Sequence, residues 1–353
     1  MRRTFLLAIA LAACGHSEPF VGTSGRADGP LNADGQLTVG AYGDFDWAGD
    51  GSGVLLLMPR PNESYDLPLL VGVGRKDPLD NCLGLIPAAG GSMIWQLCDR
   101  TLTHYRDSND VFVSAAVGGM GELLYMQTHQ RPGFFFPVGT EAELWLGSRH
   151  APYAQRRHLL RLYRDDNGHP TVTPDQINWL TDLQWAGSGA FIARAYYLRP
   201  DSLLTPFGIT HGVISRDTTL LTIIPGTAAI GRFASAEGGS TIVYDKPGNV
   251  IVALPVAGGP ERIVDTLPFA PSRAVVSLSC QQELCLVVTR EAGGGSVASS
   301  NIWRISLATG QASILQTFIG RAVPEVARLS PDRTRVVVRK TDGRLYLLAD
   351  LLN

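Results

Sequence analysis

Short apolar runs separated by turn residues dominate the chain from Gln36 onward. The runs are rich in Val, Ile, Leu and aromatic residues, and Gly, Pro, Asp and Asn interrupt them. This alternation is typical of β-strands joined by tight turns. Helical periodicity is nearly absent, and only residues 154–163 give a weak helix prediction. The sequence therefore predicts an all-β fold, with strands that include residues 37–42, 54–58, 122–126, 190–197, 220–224, 241–244, 250–254, 284–288, 302–307, 336–338 and 344–348.

A strand–turn–strand pattern recurs along the chain. The sequence Trp47-Ala48-Gly49, followed by an apolar run, returns as Trp185-Ala186-Gly187. The same pattern, followed by third and fourth strands after glycine turns, occupies residues 231–264 and, in part, 327–348. Four strands in roughly 45 to 50 residues is the period of a β-propeller blade.

The spacing of these repeats sets the number of blades. Their centres lie near positions 47, 116, 185, 233, 278 and 329, which predicts six four-stranded blades. The first two intervals are the longest, so those blades carry insertions or the ring contains a seventh blade. The last repeat supplies only three strands, whereas residues 37–42 form a spare strand at the other end. We expect this N-terminal strand to complete the last blade and close the ring, because closure covers sheet edges that promote aggregation.

The C-terminal third of the chain resembles a known repeat family. The segment Leu329-Ser330-Pro331-Asp332 leads into an apolar strand and then into Asp342-Gly343-Arg344-Leu345-Tyr346. This pattern resembles the WD40-like repeat of TolB-type propellers and is clearest from residue 230 to the end. The resemblance implies a propeller fold, but a fold alone does not define a function. Nothing here matches the additional N-terminal α/β domain of TolB, so a role in the Tol-Pal system is not implied.

The N-terminus has the pattern of a bacterial export signal. The basic Met1-Arg2-Arg3 precedes an apolar run that is too short for a permanent membrane span and fits a cleaved signal peptide. Leu11-Ala12-Ala13-Cys14 resembles the lipobox, whose cysteine receives a lipid; a plain secretory peptide is the alternative. We therefore predict a signal peptide over residues 1–13, lipidation of Cys14, a flexible tether over 14–35 and a propeller domain over 36–353.

Composition narrows the classes of function. Hydrophobic residues make up 45% of the chain, enough for a large core. The 30 basic and 32 acidic residues give a formal net charge of −2, which lacks the basic excess that nucleic-acid binding requires. The lipobox predicts a cell-envelope location through a lipid anchor. Gly15, in place of an Asp after the cysteine, favours the outer membrane.

Lipidation of Cys14 leaves four cysteines. In an oxidising compartment an even number favours disulfides, and we expect the local pairs Cys82–Cys98 and Cys280–Cys285 among the three possible connectivities. The latter pair is predicted to stand at the ends of a four-residue hairpin loop, where facing strand positions suit a disulfide. Free buried cysteines are the alternative. No histidine lies at a spacing that would make either pair a metal site.

Sequence motifs of catalysis are absent. The chain contains no Gly-x-Ser-x-Gly nucleophile elbow and no His-Glu-x-x-His zinc motif. Asp44, Asp46 and Asp50 beside Gly51 do not have the spacing of a calcium loop and are predicted to form a turn. The aromatic residues Trp95, Trp145, Tyr196 and Tyr197 are expected to pack between blades. We therefore predict no catalytic residue, no metal site and no cofactor.

Two functions remain open from the sequence alone. The favoured function is a non-catalytic binding or scaffold module, tethered to the membrane, that presents a propeller face to a protein or small ligand. The alternative is a propeller enzyme, such as a glycan hydrolase or lyase, with carboxylates in the central funnel. Two acids roughly 5 to 10 Å apart would favour the enzyme. The lack of any catalytic motif favours binding.

Overall fold

The computed structural model describes most of the chain between Gly35 and Leu348. The described residues are 35–37, 44–59, 66–67, 75–76, 81–88, 94–98, 109–132, 137–148, 156–165, 177–187, 189–198, 204–269, 272–291 and 298–348. Within these ranges the regular elements are β-strands and one short 3-10 helix, Glu237–Gly239. None of these elements is an apolar helix long enough to cross a membrane.

Six antiparallel sheets follow one another along the chain, as predicted. Blade 1 contains β1 (Asp44–Trp47), β2 (Gly53–Pro59), β5 (Asn81–Pro87) and β6 (Ile94–Cys98), and blade 2 contains β7 (Asn109–Val117), β8 (Glu122–Pro132), β9 (Pro137–Ser148) and β10 (Arg157–Asp165). A separate two-stranded ribbon, β3 (Asp66–Leu67) with β4 (Arg75–Lys76), is inserted between β2 and β5. The long first interval of the repeat is therefore an insertion in blade 1, and not a seventh blade.

The remaining blades have the same order of strands. Blade 3 contains β11 (Trp179–Trp185), β12 (Ala190–Leu198), β13 (Leu204–Ile214) and β14 (Thr219–Ile223); blade 4 contains β15 (Phe233–Ala236), β16 (Thr241–Lys246), β17 (Val250–Pro255) and β18 (Arg262–Thr266). Blade 5 contains β19 (Arg273–Gln281), β20 (Leu284–Glu291), β21 (Ala298–Ser306) and β22 (Ala312–Gly320); blade 6 contains β23 (Pro324–Leu329), β24 (Val336–Lys340) and β25 (Leu345–Leu348).

The N-terminal segment supplies the fourth strand of blade 6. Gln36 pairs with Tyr346 in an antiparallel bridge. The Leu37 amide donates to the Leu345 carbonyl at 2.8 Å, and the Leu347 amide donates to the Gly35 carbonyl at 2.8 Å. The pairing therefore begins slightly earlier than the predicted strand, whose residues 38–42 lie outside the described part of the chain. Ring closure by an N-terminal strand is confirmed.

The hydrophobic core lies between neighbouring blades. Six buried apolar clusters occupy the six junctions of the described structure, one cluster per junction. Phe191, at the junction of blades 2 and 3, is fully buried. Its ring fills the space above Gly212, where an added Cβ would lie 2.1 Å from the ring. Each buried side chain of this size contributes about 1.5–3 kcal/mol, so the packing between blades holds the ring together.

Two local predictions from the sequence were wrong. The weak helix over residues 154–163 is the edge strand β10, whose two bulges disrupt the period-two pattern that would have identified it. The hairpin loop between the cysteines has two residues and not four, because Gln281 still pairs with Leu284. Gln282 occupies the left-handed region at φ 55° without being Gly or Asn, so the usual sequence signal of this turn is absent.

Candidate functional site: the central cavity

The first strand of every blade lines a central cavity of about 420 Å³. These strands are β1, β7, β11, β15, β19 and β23. Each is followed by a tight turn, and at least one residue of every first turn also lines the cavity: Gly49, Gly119, Gly187, Gly238 with Gly239, Gln282 and Pro331. We call these six turns the first-turn rim. The cavity therefore opens at the end of the ring where the six first turns meet.

Neighbouring turns of the rim lie close enough to bond through their backbones. The Gly49 amide donates to the Val117 carbonyl at 3.0 Å, and the Glu237 amide donates to the Gln282 carbonyl at 2.9 Å. A Cβ on Gly49 would lie 2.6 Å from the carbonyl carbon of Gly118, so only glycine allows this approach. The first-turn rim is therefore built as a connected surface around the cavity.

Polar side chains join the first strands to one another. The Leu183 amide donates to Ser114 Oγ at 3.0 Å, the Ser235 amide donates to Gln184 Oε1 at 2.7 Å, and the Leu329 amide donates to Ser279 Oγ at 3.4 Å. Each bond crosses from one blade to the next. The first strands are edge strands, so these contacts satisfy backbone donors that the sheet itself leaves without a partner.

Arg194 fixes a carboxylate on the cavity wall. Asp182 lies at a bulge of β11 with φ 52° and lines the cavity. Arg194 Nε donates to Asp182 Oδ2 at 2.9 Å, while its two terminal nitrogens donate to the carbonyls of Ile230 and Gly231 at 2.5 and 2.6 Å. The Arg194 side chain is only 8% exposed. The two terminal nitrogens thus join blade 3 to blade 4, while Nε holds Asp182 within blade 3.

Arg328 lies on the opposite part of the wall, on β23. Its Nη1 donates to Ser277 Oγ at 3.3 Å and to the Leu278 carbonyl at 3.4 Å. Its Nε is 4.0 Å from Asp46 Oδ1, and the guanidinium carbon lies 5.9 Å from the centre of the Phe45 ring. The side chain is 24% exposed. Arg328 is therefore oriented by blades 1 and 5 while part of it faces the cavity.

Arg232 is the most exposed arginine of the cavity wall. Its Nη1 lies 3.8 Å from Asp245 Oδ2, and its side chain is 44% exposed. Asp245 Oδ1 is buried and has no hydrogen-bond partner in the described structure. Burial raises the pKa of Asp245 above its ordinary value, and the positive charge of Arg232 offsets part of that rise. Arg232 and Asp245 thus form a loose ion pair at the start of β15.

The structure brings only some of the sequence-predicted residues to the cavity. Cys280 and Cys285 are at disulfide distance beside the rim, with Cys280 on the cavity wall. Cys82 faces Cys98 across β5 and β6 in backbone register. Cys14 lies outside the described residues. In the described chain, no group of three potential metal-ligating residues occurs.

The predicted aspartate turn was partly wrong. Asp44 and Asp46 belong to β1, and Asp46 lines the cavity, whereas Asp50 accepts the Ser52 amide in the following turn. Trp145 contacts His158 and Arg156 away from the cavity. No local sequence motif marks the three cavity arginines. The only usable signal was their position in or beside the first two strands of a repeat.

Comparisons with known proteins give similarity at the level of fold. No protein-family model matches the chain, and no curated protein sequence matches it. An oligogalacturonate lyase in complex with manganese is 13% identical, with 89% of this chain and 77% of the other covered and a TM-score of 0.47. A chain of the mitotic checkpoint complex is 11% identical, with 98% and 99% covered and a TM-score of 0.44. The RRP9 WD40 repeats are 10% identical, with 91% and 99% covered and a TM-score of 0.42.

Proposed function

We propose that this chain is an envelope lipoprotein whose propeller is a non-catalytic binding module, with its partner held at the first-turn rim and the central cavity. The observation that carries the proposal is the cavity itself, because residues from all six blades build it and its rim is fixed by bonds between blades. A concave site of this volume on a rigid scaffold is typical of binding sites. Met120, in the rim turn of blade 2, is 82% exposed and offers apolar contact surface.

The charges of the cavity favour binding over glycan hydrolysis. Asp46 and Asp182 are the carboxylates that line the described cavity. Asp182 accepts a hydrogen bond from Arg194, and Asp46 lies in ion-pair range of Arg328. A glycosidase needs one carboxyl group free to donate a proton to the leaving group. Asp182 is bonded to a guanidinium and Asp46 lies 4.0 Å from one, so each carboxylate has a positive charge beside it, which suits a site that recognises a ligand without changing it.

The test of this function compares two apolar-to-lysine substitutions. Met120→Lys places a charge on the first-turn rim, whereas the control Ile263→Lys places one on the outer strand β18, where Ile263 is 68% exposed. Each protein is expressed in the source cell, extracted in mild detergent and analysed for proteins and small molecules that copurify. We expect the parent and the control to retain one common partner and Met120→Lys to retain about tenfold less. Equal recovery from all three proteins would rule out the rim as the binding face.

The lipid anchor is the second half of the proposal. It rests on the Leu11-Ala12-Ala13-Cys14 pattern, with more than one acyl chain needed for stable membrane attachment. The substitution Cys14→Ser should move the protein from the membrane fraction to the soluble fraction, and mass spectrometry of the parent should find lipid on Cys14. A Cys14→Ser protein that sediments with membranes as the parent does would contradict the anchor.

The turn between β23 and β24 supports the assignment of TolB-type WD40-like repeats. Ser330 Oγ donates to Asp332 Oδ1 at 2.5 Å and accepts from the Arg335 amide at 2.9 Å. The Thr334 amide donates to Asp332 Oδ1 at 3.2 Å. The Ser-Pro-Asp sequence thus closes a compact turn through its own side chains, which gives the repeat pattern a local structural reason.

A further inference from the structure

We propose that the central cavity binds the oxyanion group of a small ligand, a carboxylate or a phosphate, between Arg232 and Arg328. The inference rests on the proposed binding function and adds the chemical class of the ligand. It starts from the charges that line the described cavity, which are three arginines and two aspartates. The lining residues therefore carry one net positive charge, part of which is offset by Asp245, which does not line the cavity but lies 3.8 Å from Arg232.

Arg194 does not supply the binding charge. All three of its nitrogens are occupied by Asp182 and by the carbonyls of Ile230 and Gly231. Its side chain is nearly buried, so it is not accessible to a ligand. Arg194 and Asp182 together are close to neutral, which leaves Arg232, Arg328 and Asp46 to determine the charge that a ligand meets.

Arg328 is pre-organised to receive an oxyanion. Ser277 and Leu278 hold its Nη1, and the Phe45 ring lies beside the guanidinium. The two donors on Nη2 have no hydrogen-bond partner in the described structure, and the nearest carboxylate oxygen, on Asp46, is 4.0 Å from Nε. A guanidinium fixed on one side and open on the other binds carboxylate or phosphate with little further loss of side-chain freedom.

Arg232 offers a second cation on another part of the wall. Its only ionic partner in the described structure is Asp245, at 3.8 Å, which is beyond hydrogen-bond distance. Its guanidinium donors are therefore available to a ligand. Arg232 belongs to blade 4 and Arg328 to blade 6, and both line the same cavity. A volume of about 420 Å³ is typical of a small-molecule site, and we place one ligand between the two arginines.

The test measures anion binding by the full chain, purified in mild detergent. Isothermal titration calorimetry is performed with citrate, glucuronate and inorganic phosphate, with glucose as the neutral comparison. We expect saturable binding at one site per chain for at least one anion and none for glucose. Preference for phosphate over the two carboxylates, or the reverse, identifies which oxyanion the site takes. No saturable binding of any of the three anions would overturn the proposal.

Three variants connect that binding to the cavity. Arg232→Gln is expected to weaken anion affinity about tenfold, because it removes a charge-assisted contact while leaving the packing intact. Arg328→Gln should weaken it at least as much, provided that thermal unfolding shows a folded protein. The control Arg304→Gln alters an exposed arginine of β21 that does not line the cavity, and its affinity should equal that of the parent. Equal losses in Arg304→Gln and Arg232→Gln would assign the binding to general surface charge and overturn the proposal.

The copurification and the titration can fail independently of each other. A partner that copurifies through the rim while no anion binds the cavity would leave the binding function standing and remove only the oxyanion site. Loss of the partner in Arg232→Gln as well as in Met120→Lys would show that the partner contacts both the rim and the oxyanion site. Absence of both a rim-dependent partner and anion binding would remove both proposals.

Discussion

Individual arginine side chains carry much of the contact between blades. Arg194 joins β12 to the segment before β15, Arg328 joins β23 to β19, and Arg335 of blade 6 donates to the Gly51 carbonyl of blade 1 at 3.2 Å. A guanidinium can bond several carbonyls in one plane, which suits a junction where backbone groups of two sheets approach. The positive charge at the cavity and the stability of the ring therefore depend partly on the same residue type.

Arg194 provides a test of this structural role. Arg194→Leu removes three hydrogen bonds and leaves the carbonyls of Ile230 and Gly231 without their donor. Because the Ile230 carbonyl is a buried acceptor and a buried acceptor without a partner is costly, we expect the free energy of unfolding to fall by about 1–3 kcal/mol. Urea denaturation with linear extrapolation measures the change. The exposed control Arg304→Leu should change stability by less than about 0.5 kcal/mol, and equal effects of the two substitutions would show that Arg194 does not hold blades 3 and 4 together.

Asp245 gives a pH-dependent prediction. Burial raises its pKa in the folded state, so the folded protein binds this proton more tightly than the unfolded chain does. The stabilisation from that proton is complete below the ordinary pKa of aspartate and is lost as pH rises through the raised value. The asparagine of Asp245→Asn does not titrate, so the variant does not lose this stabilisation as pH rises. We therefore expect the variant to gain stability relative to the parent as pH rises from about 4 to about 7; denaturation curves at the two pH values measure the difference, and a constant difference would contradict the raised pKa.

The contacts of individual side chains were the features least predictable from the sequence. Arg194, Arg232 and Arg328 have no local motif that separates them from other arginines. Their partners lie on neighbouring blades, so the chain must be folded into a ring before the contacts exist. The spacing of Asp44, Asp46 and Asp50 predicts a turn, although Phe45 and Trp47 on either side of Asp46 already form the alternation of a short strand.

At the scale of single elements, strand prediction succeeded where the apolar run was continuous and bounded by turn residues. The strands β16, β17, β20 and β24 are short runs of Val, Ile and Leu between turn residues, and each was identified. The edge strand β10 was missed because each of its bulges adds a residue and reverses the face on which the next apolar side chain lies. Local irregularity, and not weak hydrophobicity, therefore limited the prediction of elements.

The β19–β20 hairpin contains the cysteine pair for which we predict a disulfide. Cys280 and Cys285 face each other in the strand ladder, one pair before the two-residue turn. A disulfide over so short a loop contributes about 2 kcal/mol by the loop-entropy relation, at the low end of the usual range. The double substitution Cys280→Ser with Cys285→Ser should lower the free energy of unfolding by about that amount or less.

Peptide mapping of the unreduced protein tests the pairing directly. We expect a linked peptide that contains both Cys280 and Cys285, and a second one that contains Cys82 and Cys98, whose positions face each other across β5 and β6. Free thiols at all four positions would contradict the pairing. The stability change of the double substitution, measured with and without reductant, should disappear when the parent is also reduced.

For the whole molecule, closure of the ring is the feature that the sequence predicted best. The number of strands, with three in the last repeat and a spare one at the start, required no knowledge of side-chain contacts. The structure adds what holds the closure in place, since Leu37 is 4% exposed and belongs to the cluster that contains Phe45, Trp47, Val337 and Leu345. Closure thus joins backbone pairing to one of the six apolar junctions.

Two truncations test whether this closure controls the stability of the ring. Both keep residues 1–14. Deletion of residues 15–34 removes chain that precedes the pairing at Gly35–Leu37 and should change Tm little. Deletion of residues 15–43 removes the bridge of Gln36 to Tyr346 and the buried Leu37, exposes the edge of β25 and opens the junction of blades 6 and 1.

The longer deletion should therefore lower Tm of the whole domain in a single transition or cause aggregation, because an open ring loses packing at its junction and presents an unpaired strand. The point substitution Leu37→Ala keeps the backbone and removes only apolar contact, so it should fall between the two truncations; burying a side chain of this size contributes about 1.5–3 kcal/mol. Differential scanning calorimetry of the four proteins provides the comparison. Equal Tm values for the two truncations would show that residues 35–43 do not close the ring, and blade 6 would then have to be stable as three strands.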